Sequence, residues 1–209
     1  MDALLPMPRH PATRRWQDLG VLETPVDLET RLPGRVTFSR LTAADADAFA
    51  AHVRSDLDRL RTHLPWPDVT SAPDGADRWL GAYERQEDGR VGVGGIWQDG
   101  TLLGGALLFH HDPDAANVEL GCWVVAAGEG AGAVSAACRW LLGHARSQLG
   151  AERVEWHAGS TNERSRRLAE RLGFVYEGTL RSNYPLRGER LDTDVLSLVG
   201  AELDPFVRG

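Results

Sequence analysis

The 209-residue chain contains no lysine, so all 23 of its basic side chains are arginine. That excludes Schiff-base chemistry and any other use of a side-chain amine. Cysteine is nearly absent: Cys122 and Cys138 are the only two. They form neither a disulfide framework nor a zinc pattern, so no metal is expected. No apolar run approaches the roughly 20 residues that a membrane-spanning helix takes. The opening stretch MDALLPMPRHPATRRW has an early acid, several prolines and no apolar core. It does not read as a signal peptide, and a cytoplasmic location is the expectation. Positive charge is outnumbered, 30 acids against 23 arginines, for a net charge of −7. That argues against a nucleic-acid partner, which normally meets a basic face.

What is present supports a globular core, with 42% hydrophobic and 25% charged residues. Pro- and Arg-rich residues 1–34 read as an N-terminal extension, in part extended and packed near Trp16 to Leu22. Residues 35–203 read as one domain, and 204–209 as a tail. Alternation over Thr37–Leu41 predicts a strand. Thr42 suits an N-cap, and Phe49, Val53, Leu57, Leu60 and Leu64 recur at helical steps, predicting one helix up to a break at PWPDVTSAPDG. ADRWLGAYERQEDG predicts a second helix. Next come RVGVGGIWQ and LLGGALLFHH, joined by the hairpin signal Asp99-Gly100, then NVELGCWVV as a third strand. A helix is expected from about Gly132 to Leu149, then a strand RVEWHAG, a short helix ending at Gly173, and strands VYEGTLR and DTDVLSLVG. The order defines an α+β class with a mixed sheet.

Between the third meander strand and the long helix stands GEGAGA, residues 128–133. A Walker loop would end in Gly-Lys-Ser/Thr, whereas Ala133 and Val134 follow Gly132 here. A dinucleotide loop would open the first unit of a parallel sheet, and this one follows an antiparallel meander. Two readings stay open at this point. One is a flexible turn. The other is a pyrophosphate site built from main-chain N–H groups at a helix N-terminus, which needs no cationic side chain. In the second reading the carboxylate of Glu129 should point to solvent.

Three stretches in this order resemble the GCN5-related N-acetyltransferase (GNAT) superfamily, specifically its RimJ/RimL branch. They are HLPWPDV, VELGCWVVAAGEGAGAVSAACRWLLGHA, and RVEWHAGSTNERSRRLAERLGFVYEGTLR, the last with Asn-x-x-Ser and Leu-Gly-Phe followed by Glu-Gly. The likeness runs from about residue 36 to residue 200. It implies a mostly antiparallel central sheet, flanked by helices, with a V-shaped split between its two central strands. Acetyl-CoA, or another acyl-CoA, would lie in that split, with its acyl group passing directly to a primary amine. A homodimer is a further family-level expectation.

The resemblance also implies roles. Main-chain groups of Val124 and Val125 would pair with the pantetheine arm. Gly128, Gly130, Ala131, Gly132 and Ala133 would offer N–H groups to the pyrophosphate. Asn162 would hydrogen-bond the pantetheine, although it suits a helix N-cap equally. Ser165 would protonate the leaving thiolate; the bland reading is a solvent-facing helix serine. The reaction needs a proton acceptor for the amine. Glu119 is the candidate, against a cross-strand ion pair, with His110 and His111 as runners-up. Cys122 reads as a small core residue rather than a nucleophile. Trp66 would wall the acceptor pocket or simply pack the core. Arg164, Arg166 and Arg167 would hold a CoA phosphate or form a wetted helix face. The branch usually has a basic residue where Glu129 stands, and no carboxylate occurs over Val91–Ile96. Those departures keep a second function open, a non-catalytic CoA- or partner-binding module on the same fold.

Overall fold

The computed structural model describes residue 22 and residues 24–207; the extension near Trp16 lies outside them. Eight strands form one sheet in the order β1-β2-β3-β4-β5-β6-β8-β7. They are β1 (Val26–Asp27), β2 (Val36–Arg40), β3 (Gly92–Gln98), β4 (Thr101–Asp112), β5 (Asn117–Val124), β6 (Arg153–Gly159), β7 (Val175–Leu186) and β8 (Glu189–Val199). All neighbours pair antiparallel except β5 and β6. The helices are α1 (Ala46–Ser55), α2 (Leu57–Arg61), α3 (Pro67–Thr70), α4 (Pro73–Glu84), α5 (Ala133–Gln148) and α6 (Glu163–Leu172).

Period-two alternation gives each central strand two buried faces. On one face Phe38, Leu108, Leu120 and Trp156 pack with Leu141 and Leu142 of α5 and Leu172 of α6. On the other, Leu107 and Trp123 pack with Phe49 and Val53 of α1 and Leu80 of α4. Gly105 of β4 lets the Trp123 ring lie flat on the sheet: a Cβ there would stand 2.2 Å from its Cη2 atom.

The single helix expected from Thr42 to Leu64 is instead broken at Asp56, whose φ of −144° is not helical. There the Asp56 carboxylate accepts the Ala126 N–H at 2.8 Å, so a tertiary contact to the glycine loop ends α1. The last two strands are longer than the pattern suggested. They form a hairpin through Arg187 and Gly188, and Arg187 ties it to α3 by an ion pair with Asp68.

β5 and β6 hold hands only briefly. Their rungs are Asn117–Arg153, Val118–Val154 and Glu119–Glu155. Beyond the last rung β5 runs on to Val124, while β6 runs to Gly159 on the β8 side. This parting is the V-shaped split.

Candidate active site

Glu119 sits on the last rung before the split opens. Its neighbours Val118 and Leu120 face the α5 core, so Glu119 faces the α1–α4 side. Its side chain is only 10% exposed. One carboxylate oxygen, Oε2, lies 2.8 Å from His110 Nδ1 and 3.4 Å from His157 Nδ1. His110 reaches it from a bulge in β4, where the register shifts between Phe109 and Asp112 and His110 takes a φ of 49°. Bulges of this kind re-aim a side chain. The hydrogen bond that His110 donates to Glu119 is the main cause that raises the His110 pKa above its ordinary value, against the opposing effect of burial. Nearby, burial lifts the Tyr83 hydroxyl well above the usual tyrosine range.

Ser165 stands on the opposite face. Asn162 caps α6 by accepting the Ser165 N–H at 3.2 Å. The Ser165 hydroxyl accepts the indole N–H of Trp156 at 2.9 Å, which leaves its own proton free to be donated. Trp156 is 2% exposed and belongs to the α5 core. Acid and base candidates thus lie on opposite faces of the sheet, with the split between them.

Main-chain groups on the rim divide by strand alternation. The Val125 N–H donates to Leu103 at 3.0 Å, so residues 121, 123 and 125 direct their groups at β4. The groups of Cys122 and Val124 therefore point into the split. Val125, expected to pair with the pantetheine, has its amide committed within the protein. Gly128 departs from expectation in the same way. Its N–H closes a 310 turn onto Val125 at 3.0 Å, and a Cβ there would press on Val124 and Leu103. Gly128 is a packing glycine rather than a phosphate donor. The amides of Gly130, Ala131, Gly132 and Ala133 donate to no protein acceptor among the described residues. They cluster where α5 begins, with Gly130 and Gly132 at φ of 71° and 86°. Free amides at a helix N-terminus suit an anionic diphosphate.

Glu129 also departs from expectation, for it does not point to solvent. Its carboxylate is paired with Arg59 of α2 and Arg164 of α6. Two cations from separate helices capture it, because the mouth of the split brings both alongside the loop. Arg59, Thr62 and His63 on one side and Thr161, Asn162, Glu163 and Arg164 on the other line a cavity of about 450 Å³. Arg166 and Arg167 instead pair with Glu170 and Glu163.

Trp66 is half-buried and joins an aromatic stack, 5.7 Å from Phe49 and 5.2 Å from Trp79, edge-on to Trp123. It lines the α1–α4 side of the sheet, the side that Glu119 faces. Cys122 packs against the α5 core. Sequence reading passed over His157, Arg59, Asp56 and Trp156. Alternation in RVEWHAG carried part of the signal, since it sets Glu155 and His157 on one face.

A sheet splayed between two central parallel strands, with free amides at the helix beside the gap, defines an acyltransferase of the GNAT type. The chain matches the Acetyltransferase (GNAT) domain family over residues 35–175 and belongs to it. It is 31% identical over 172 residues to a protein of Bacillus subtilis (strain 168) named "Putative ribosomal N-acetyltransferase YdaF". That match covers 80% of this chain and 92% of YdaF. Among solved structures, Mycobacterium smegmatis RimJ in complex with CoA-disulfide superposes with a TM-score of 0.77 at 21% identity, over 88% of this chain and 90% of that one. RimL, the ribosomal L7/L12 α-N-protein acetyltransferase in complex with coenzyme A, gives 0.74 at 16% identity, over 83% and 99%. At those identities the last two likenesses are of fold. The chain is an acetyltransferase. Among the described residues no group of side chains suited to a metal occurs. No described helix is long and apolar enough to cross a membrane.

Proposed function

We propose that the protein acetylates a primary amine, with acetyl-CoA and the amine meeting in the split from opposite faces of the sheet. The names of YdaF and RimL make a protein N-terminus the first acceptor to test, and a small-molecule amine the second. The observation that carries the reading is the parting of β5 from β6 directly above Glu119. The protonated amine gives one proton to Glu119 and attacks the thioester carbonyl. The oxyanion that forms faces the Val124 N–H in the rim. As the C–N bond forms and the C–S bond breaks, the thiolate takes the Ser165 hydroxyl proton, and the nitrogen's second proton replaces it. One proton leaves overall. The amides of residues 130–133 receive the diphosphate, Asn162 adjoins the pantetheine, and Trp66 borders the amine's approach.

The test is thiol release from acetyl-CoA against alanine- and serine-initiated peptides and a set of small amines. Release above hydrolysis is expected for at least one acceptor. Glu119→Gln should lower kcat by about 10² or more, the range for a lost general base, while calorimetric CoA affinity stays unchanged. CoA binding with no turnover on any peptide or amine would sink the proposal in favour of a non-catalytic module.

A further inference from the structure

Glu119 takes up a proton at each turnover and is nearly closed off from water, with 10% of its side chain exposed. It must pass that proton on before the next cycle. We infer that His157 carries it out, relaying from Glu119 across the split to Glu155 and then to solvent; this rests on Glu119 as the proton acceptor.

The geometry distinguishes the two histidines beside Glu119. His110 Nδ1 approaches Oε2 at 2.8 Å, a full hydrogen bond; its side chain is 70% exposed, but its Nδ1 proton is already donated to the carboxylate, so that nitrogen has no lone pair to take another. His157 stands on β6, across the split from β5. Its Nε2 lies 3.1 Å from Glu155 Oε2, so in the neutral ring the proton belongs on Nε2, donated to Glu155. That leaves the Nδ1 lone pair facing Glu119 Oε2 at 3.4 Å. Two acceptors stand off at such a separation while Glu119 is ionised. When Glu119 gains the amine's proton, its O–H can donate to Nδ1 and the gap closes. Nδ1 then takes that proton, and the Nε2 proton passes to Glu155, which at 27% side-chain exposure reaches solvent. One proton enters and one leaves; the ring, left as its Nδ1–H tautomer, resets by exchange with water, Nε2 taking up a proton as Nδ1 gives one up.

Glu155 is itself held for this task. Arg153 donates to Glu155 at 2.7 Å and to Glu177 of β7, and Glu177 accepts from Ser197 of β8. The resulting chain Glu177–Arg153–Glu155–His157 fixes which nitrogen of His157 is protonated, as carboxylates beside histidines commonly do. The Glu119 charge is felt in turn by Tyr83 of α4 and Tyr184 of β7, whose hydroxyls it helps to raise, while the Arg90 charge opposes the rise at His110 and Tyr83.

Nitrogen NMR of 15N-histidine-labelled, CoA-bound protein at pH 8 reads the tautomer without any acceptor. The Nε2–H form of His157 is expected, and an Nδ1–H form overturns the relay. In turnover, His157→Ala should lower kcat on the order of tenfold or more, with the KM for acetyl-CoA within twofold. Added imidazole should restore most of the loss, whereas a merely structural histidine would not be rescued. Undiminished kcat, or a loss that imidazole leaves untouched, overturns the inference. Glu155→Gln leaves the ring in place and provides a second arm, with kcat reduced and the His157 tautomer mixed. A wild type that turns over no amine defeats the proposed function instead, and the tautomer measurement separates the two failures.

Discussion

Replacing Glu129 by Gln removes the one acid of the glycine loop and leaves Arg59 and Arg164 without their common partner. The Glu129 and Arg59 side chains are 31% and 34% exposed, and that of Arg164 is 75%. Such part-exposed pairs are each worth about 0.2–1 kcal/mol. With two such pairs lost, the fold should lose no more than about 2 kcal/mol. The effect on the cofactor has the opposite sign. Glu129 is an anion next in the chain to the four free amides proposed to receive the diphosphate, and it neutralises Arg59 and Arg164. With Gln there, the Arg164 guanidinium is freed toward the incoming phosphates, and Arg59 keeps only its 3.6 Å pairing with Asp56. A gain of about 0.5–1 kcal/mol corresponds to about 2–5-fold tighter CoA, since about 1.4 kcal/mol is tenfold. Titration calorimetry with CoA at low and high salt measures this without an acceptor. The gain should shrink as salt rises and be absent with acetyl-pantetheine, which carries no phosphate. If Glu129→Gln binds CoA more weakly, the carboxylate is a clip that orders the loop, and the competition argument fails.

Three further outcomes are expected. Gly105→Ala drives a Cβ to 2.2 Å from Trp123 and 2.4 Å from the Gly94 carbonyl oxygen, so it should cost about 1–3 kcal/mol and lower Tm by several degrees in a melting scan. Trp123→Phe strips the buried His52 Nε2 of the indole N–H it accepts at 3.0 Å, while His52 Nδ1 still meets the Leu102 carbonyl; urea unfolding should show a loss of about 1–3 kcal/mol. Burial lowers His144 from 6.5 to about 4. Below pH 6.5 the unfolded chain binds a proton that the folded one refuses, so stability present above pH 6.5 is lost as pH falls toward 4, by roughly 3 kcal/mol at most. Urea titrations across that range should show a flatter curve for His144→Gln; parallel curves would refute the assignment.

Much of this molecule could be read in the order of its residues. Period-two runs marked the strands, helical spacing marked α5 almost to the residue, and Gly173, at φ 98°, marked the end of α6. Those signals are local, because a strand's alternation and a helix's cap are set within a few neighbours. The motif order also carried the family, and with it the split and the cofactor. The sequence could not say which amides were spent. Val125 and Gly128 lost theirs to Leu103 and to a 310 turn, and only the pairing of β4 with β5 decides that. Nor could it foresee the break at Asp56, where a carboxylate grips an amide 70 positions away. The surroundings of Glu119 and Glu129 belong to the same class. His110, His157, Arg59 and Arg164 come from four separate elements, and charges meet at a few ångströms only once the sheet has brought those elements together. Local sequence determined the elements and the residue types available to the site. The fold alone determined which of them touch, because Coulomb and hydrogen-bond energies depend on separation in space and not on separation along the chain.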